Sequence, residues 1–363
     1  MIDNSFLLEM PYLSTNDVLL RPQHGLLKSR KEAVVNTPFI YNSPMDTVAS
    51  YDLALEMLAS NQCFVTCRFD TNQNKIKYLN NFAEQENFWF SVGTSKEDYE
   101  LINAWWYSTY RNCSKAPPKI NISVDVAHGD TFHLLKVYKM YKSQPWCKYL
   151  MSGTIATAES AERLYLNGCT HIRVGIGPGS ACSTRIVTGC GVPNLSAVHE
   201  VYDYLNSVNK NIKIIADGGI KNSGDIAKYL SAGAHAVMIG NLLSLTEESS
   251  GWKVNPLYYY LNLISFGYLF KNYKYKYYRG QASAEFQIDK RGKVSGAPEG
   301  VQGKKSYPQY TFHEFDLNIK QSLQSTISYL GLNNIESINP KNVQLIRITN
   351  NGFSESTPHL LSS

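Results

Sequence analysis

Charge is scarce in this 363-residue chain, with Asp, Glu, Lys and Arg together making up only 18 %. The 35 basic side chains outnumber the 30 acidic ones by a formal +5, without any long basic run. That pattern offers no cationic footprint, and no nucleic-acid partner is expected. Long apolar runs are missing as well. The most apolar stretch, Leu257–Phe270, is interrupted by Asn262 and Ser265 and falls short of the ~20 residues that cross a bilayer. The N-terminal Met1-Ile-Asp-Asn-Ser-Phe-Leu-Leu8 has no basic head and no long apolar core, so neither a secretory signal nor a membrane partner is expected. The seven cysteines (63, 67, 113, 147, 169, 182 and 190) are irregularly spaced and odd in number, which argues against a disulfide framework. Cys63 and Cys67 lack companion zinc ligands. These absences point to a soluble protein of a reducing compartment, the cytoplasm. The 43 % of hydrophobic residues is enough for a substantial core in a chain of this length.

What is present has a rhythm. Short β-branched or aromatic runs fall at Phe39–Asn42, Cys63–Cys67, Phe88–Val92, Ile120–Val126, Tyr149–Met151, His171–Val174, Ile212–Ala216 and Ala236–Ile239. Helical spacing separates several of them, at Ala49–Ala59, Ala158–Leu166, Ser196–Leu205 and Gly224–Ala232. Strands alternating with helices indicate βα units and a parallel sheet. Eight such units suit an α/β fold of the (β/α)8 TIM-barrel type, with a doubly wound sheet as the competing architecture. Asp125, Gly175, Asp217 and Gly240 fall at strand C-terminal ends, the face where a barrel carries its chemistry. After Gly251 the rhythm breaks. A Tyr-rich insertion at about 252–278 precedes a polar, glycine-bearing stretch from Asp289 to Lys305 that is expected to be a long mobile loop, part of a flap at about 284–305. Asn318–Leu330 reads as a further amphipathic helix. With no low-complexity linker, residues 1–363 are expected to form a single domain with insertions.

The densest chemical signal is the loop Gly175-Ile-Gly-Pro-Gly-Ser-Ala-Cys-Ser-Thr-Arg-Ile-Val-Thr-Gly-Cys-Gly191. Its glycines let backbone turn tightly and approach a ligand, and Ser180 with nearby amides suits a phosphate. It lacks the third glycine and the downstream acid of a dinucleotide fingerprint. Cys182, in this polar loop, is better placed as a nucleophile than the strand cysteines, the competing reading being an inert structural thiol. Asp217-Gly-Gly after an apolar strand suits a carboxylate on ribose hydroxyls beside phosphate-binding amides, or an ordinary Asp-Gly turn. Gly240-Asn241 resembles another amide-lined strand end. Asp125 is followed by Ala127, His128 and Gly129.

The order of these segments resembles the inosine-monophosphate (IMP) dehydrogenase / guanosine-monophosphate (GMP) reductase family. The likeness runs through Leu13-Ser-Thr-Asn-Asp-Val-Leu-Leu20, Ser43-Pro-Met-Asp-Thr-Val48, the cysteine loop and Ala216-Asp-Gly-Gly-Ile-Lys-Asn-Ser-Gly-Asp225. It continues through Tyr278-Arg-Gly280 and Pro298-Glu-Gly-Val-Gln-Gly303 to Ile346-Arg-Ile-Thr349. The resemblance implies a (β/α)8 barrel, usually a homotetramer, acting on a purine mononucleotide. It implies that Cys182 attacks purine C2, with Thr184 and Glu299 moving protons. It places the 5′-phosphate on Ser180, Gly219, Gly240 and Asn241, and the ribose on Asp217. The base falls on Gly280, Gln281 and Ser283, and the nicotinamide cofactor near Asp125, Ala127 and His128. A candidate monovalent-cation (potassium) site falls at Gly177, Gly179 and Cys182.

Within that family the two reactions differ at the flap. A dehydrogenase uses a flap Arg-Tyr pair to activate water and usually carries regulatory cystathionine-synthase-type (CBS) modules. Here residues 281–298 are short and contain no Arg-Tyr, and Arg68–Phe88 leaves no room for the modules. The expectation is therefore an NADPH-dependent GMP reductase, acting on GMP or a related nucleotide such as dGMP. Ile186-Val187, Ala216–Ile220 and Pro298–Gly303 look more like bacterial dehydrogenases, so the NAD-dependent IMP dehydrogenase is the alternative. A catalytically lapsed nucleotide-binding protein is the third. Two departures stand out: Cys67-Arg68 replaces the usual His-Lys, and Gln281 replaces a methionine in the base-reading loop. Arg68 cannot readily give up a proton.

Overall fold

A computed structural model describes residues 12–110, 118–257 and 274–356. Eight parallel strands form one sheet: β2 (Ile40–Asn42), β3 (Phe64–Val65), β4 (Phe88–Val92), β5 (Ile120–Val124), β6 (Cys147–Ile155), β7 (His171–Val174), β8 (Lys213–Asp217) and β9 (Ala236–Ile239). A short strand, β1 (Val18–Leu20), precedes them. The sheet runs β2-β9-β8-β7-β6-β5-β4-β3 and curls until its ends meet. Tyr41 bridges Cys63 in parallel register, and the Cys63 amide donates to the Ile40 carbonyl at 2.9 Å. With helices between the strands, this is a (β/α)8 barrel.

The seam between β2 and β3 is short because β3 has only two residues, and side chains complete it. Asn42 accepts from the Val65 amide at 2.7 Å and donates to the Val65 carbonyl at 2.8 Å, so its amide group imitates a ladder partner. Gln62 accepts the Phe39 and Ile40 amides. Alternation along the strands sorts the core into two clusters. Ile215, Met238, Tyr41, Val65, Trp89 and Met151 pack together inside the barrel. Ile214, Ala216, Val237 and Ile239 face the other way, into the larger cluster under the helices.

Sequence periodicity locates all eight strands, with shifted edges. β6 is longer than Tyr149–Met151, and β3 stops before Cys67. Helices Asn72–Phe82, Lys96–Tyr110 and Phe132–Lys142 add to those expected. Helix starts are fixed chemically: Ser50, Thr71, Thr131, Thr157 and Asn222 each accept an amide of the first turn.

The stretch expected as a flap has regular structure at its two ends, with residues 292–301 irregular between them. Residues Ala284–Arg291 form a helix, with Ser283 at its start and left-handed Gly292 (φ 72°) at its end. A three-stranded antiparallel ribbon joins β10 (Lys253–Val254), β11 (Lys274–Arg279) and β12 (Gln302–Lys305). β13 (Leu345–Arg347) pairs with β1. The expected helix at Asn318–Leu330 begins earlier, spanning Phe312–Tyr329. Residues 258–273 of the Tyr-rich insertion lie outside the described residues. Among the described residues no helix is long and apolar enough to cross a membrane.

Candidate active site

The loops following the strands' C-terminal ends enclose a cavity of about 500 Å³. Asp125 follows β5, the cysteine loop follows β7, Asp217 ends β8, and Gly240-Asn241 follows β9, so the barrel brings four separate sequence signals to one mouth. Of the predicted site residues, Cys182, Thr184, Glu299, Ser180, Asp217, Gly219, Gly240, Asn241, Gly280, Gln281, Asp125 and Ala127 line it, with Gly177 and Gly179. His128 is exposed and Ser283 fully buried, and both lie outside the lining. The Ser283 hydroxyl accepts the Phe286 amide at 3.2 Å, so it starts the flap helix.

The nucleophile candidate sits at one end of a directed hydrogen-bond chain. The Cys182 thiol donates to Thr184 Oγ1 at 3.2 Å, and the Thr184 hydroxyl donates to Glu299 Oε2 at 2.8 Å. Residues far apart in sequence meet here because backbone is spliced to backbone. Cys182 pairs with Gly300 in an antiparallel bridge, Ser183 donates to the Glu299 carbonyl, and Val301 donates to the Ala181 carbonyl. A side chain at Gly280 would meet the Ala181 carbonyl at 2.6 Å, so glycine permits the close approach. Cys182 is exposed while Cys63, Cys67, Cys147 and Cys169 are buried. Burial pushes the Cys63 and Cys67 thiols up to about 12, which makes them inert.

A second feature at the mouth is a line of alternating charge. Arg173 donates to Asp217 Oδ2 from Nε at 2.9 Å and from Nη2 at 2.8 Å, and to Asp125 Oδ1 from Nη1 at 3.0 Å. Burial works against the charge on Arg173, but the two carboxylates outweigh it and hold the guanidinium more firmly protonated than usual. Arg68 extends the line, with Nε 3.5 Å from Asp125 Oδ2. Neither of those two buried atoms makes a hydrogen bond within the protein. Sequence reasoning gave Arg173 no role. The available signal was an arginine set between two apolar residues, Ile172 and Val174, of a predicted strand.

The loops after β7, β8 and β9 converge at the other end of the cavity. The Tyr278 hydroxyl donates to Met45 Sδ at 3.8 Å, and burial raises it above the usual range. A side chain at Gly240 would strike the Tyr278 hydroxyl at 2.9 Å and Ser43 Oγ at 3.1 Å. Gly219 has a left-handed φ of 79°. These are amides and hydroxyls with room only for backbone, a geometry suited to phosphate. Gln281 is turned aside, donating from Nε2 to the Pro44 carbonyl at 2.6 Å. Helix Ala284–Arg291 contributes Gln287 and Arg291 to the rim, and Arg279 latches it down with Nη2 2.6 Å from both Asp46 and Asp289. Among the described residues, no group of His, Cys, Asp and Glu side chains could hold a metal ion.

A profile of the IMP dehydrogenase / GMP reductase domain matches residues 120–359. Inosine-5′-monophosphate dehydrogenase of Halalkalibacterium halodurans is 36 % identical over 246 residues, 66 % of this chain and 47 % of the relative. The enzyme of the same name from Thermoplasma acidophilum is 38 % identical over 244 residues, 66 % of this chain and 46 % of the relative. That from Cryptosporidium parvum is 36 % identical over 247 residues, 66 % of this chain and 57 % of the relative. The chain spans about half the length of the curated relatives it matches.

Proposed function

The chain belongs to the IMP dehydrogenase / GMP reductase family, and from that premise we propose that it is an NADPH-dependent GMP reductase. It would convert GMP, or a related guanine nucleotide such as dGMP, to IMP and ammonia through a covalent Cys182 adduct at purine C2. The observation that carries the reading is the Cys182–Thr184–Glu299 chain opening into the cavity. Its donors point one way, so the thiol proton passes through Thr184 to Glu299 as sulfur becomes nucleophilic. The sulfur–C2 bond forms and the bond from C2 to the exocyclic nitrogen breaks. The proton held on Glu299 travels with that nitrogen, which leaves as ammonia. Hydride for C2 would come from a reduced nicotinamide when one is bound beside Asp125 and Ala127. The carbon–sulfur bond then breaks, and Cys182 recovers a proton from solvent. Carbon gains two electrons in that step, the same two the nicotinamide loses.

The cofactor fits the residues present. Arg68, Asp125 and Ala127 line the cavity together, and the polar groups of this wall would suit the carboxamide of a bound nicotinamide. Asp217 uses Oδ2 for Arg173 and keeps Oδ1 for ribose hydroxyls. The flap favours the reductase, because the 281–298 segment forms one short helix and carries no Arg-Tyr pair to activate water. The names of the relatives favour the other reading, an NAD-dependent IMP dehydrogenase. On either reading the chain is a single catalytic domain and a cytoplasmic homo-oligomer, with the tetramer as the expected form.

An anaerobic assay in both directions separates the two. The reductase consumes NADPH only with a guanine nucleotide and releases one ammonia per turnover. NADH formed from IMP without ammonia would establish the dehydrogenase. Tight nucleotide binding with neither turnover would identify a lapsed enzyme.

A further inference from the structure

Two ammonium groups stand together behind the end of the cavity formed by Ser180, Gly219, Gly240 and Asn241. Lys276 on β11 and Lys305 on β12 are directly paired in antiparallel register, so both side chains leave the ribbon on the same face. Like charges placed opposite one another destabilise a sheet. Among the described residues, neither lysine has a carboxylate within ion-pair distance.

The two are held differently. Lys276 is fully buried and spends its donors on neutral acceptors: the Thr47 carbonyl at 3.0 Å, Ser249 Oγ at 2.7 Å and the Ser250 carbonyl at 3.2 Å. Burial, with Lys305 adding to it, lowers Lys276 to about 7. Lys305 is partly exposed and donates to Asn241 Oδ1 at 2.8 Å. Its ammonium also sits 5.6 Å from the Tyr278 ring centroid. Both neighbours, Asn241 and Tyr278, line the cavity.

An ammonium can only donate. By taking the oxygen of the Asn241 amide, Lys305 fixes which way that amide faces and leaves its NH2 group for a ligand. We propose that Lys305 is a positioning and specificity-determining residue that turns Asn241 into a phosphate donor and makes this end of the cavity select a dianionic phosphomonoester over an uncharged nucleoside. The missing counter-ion of Lys305 is then the ligand's own 5′-phosphate. This inference rests on the purine-mononucleotide reading of the cavity.

The test is calorimetric titration of the full chain and its Lys305→Met variant with GMP, IMP, guanosine, inosine and ribose 5-phosphate. The three phosphorylated ligands are expected to bind about tenfold more weakly to the variant, and the two nucleosides equally well to both proteins. Lys305→Arg, which keeps charge and donors, is expected to retain most of the affinity. Lys305→Gln replaces the methionine variant if that one fails to fold. Undiminished binding of GMP and IMP to the neutral variant would overturn the proposal, as would an equal loss for nucleosides. Lys305-dependent binding of ribose 5-phosphate by a wild type that binds neither purine nucleotide would uphold the phosphate assignment and defeat the mononucleotide reading.

Discussion

At the scale of single residues, the proposed reaction separates groups that would do chemistry from groups that hold them. Cys182→Ala removes the attacking atom, so turnover is expected to vanish while nucleotide binding, followed by calorimetry, persists. Glu299→Gln keeps the shape but cannot take the thiol proton, and a loss of about 10²–10⁴ in kcat is expected from steady-state rates. Arg173 belongs to the second group. Replacing it with Met strands Asp125 and Asp217 as poorly compensated carboxylates, an expected loss of about 3–5 kcal/mol in urea unfolding. Cys182 is legible from its glycine-bearing loop, whereas Thr184 and Glu299 enter only through the family resemblance. Arg173 stays hidden within His171-Ile-Arg-Val174, which reads as ordinary strand until folding brings the two aspartates to it. Ser283 marks the opposite limit: the motif suggests contact with the base, but its hydroxyl closes a local bond to Phe286.

Elements were legible in proportion to their hydrophobic contrast. The eight barrel strands bury side chains on two faces, and their short β-branched runs announce themselves. Helix Ala284–Arg291 has no such contrast, because among its residues only Phe286 and Gln287 are buried. Its signals are at its ends, the Ser283 cap and the Gly292 stop, and these are easily taken for loop chemistry. The cap therefore matters more to this helix than to one held by a wide apolar face. Ser283→Ala is expected to destabilise it by about 1 kcal/mol. Hydrogen exchange should register this as faster exchange of the amides of residues 284–291, with barrel strands unaffected. The seam between β2 and β3 was likewise invisible beforehand, since nothing in Asn42 or Gln62 advertises that an amide side chain will stand in for backbone.

For the molecule as a whole, the two ends of the barrel have different electrostatic tasks. The mouth carries paired charges, and the base carries neutral imidazoles. Burial lowers His171 to about 3 and His235 to about 4, with the Lys213 charge acting in the same direction. His171 packs edge-on against Trp89 at 4.6 Å between centroids, and His235 accepts the Ile214 amide at 3.1 Å. The unfolded chain takes up these protons near pH 6.5 and the folded barrel does not, so the histidines favour unfolding as pH falls from about 6.5 towards 4 and 3. Urea midpoints should drop across that window, and His171→Phe should flatten the decline.

The splice between Ala181–Ser183 and Glu299–Val301 has a further consequence for timing. Sulfur and carboxylate ride on the two sides of one short backbone zipper, so a fluctuation that parts it disarms attack and proton transfer in a single event. On the proposed reading the site is then armed or idle as one unit.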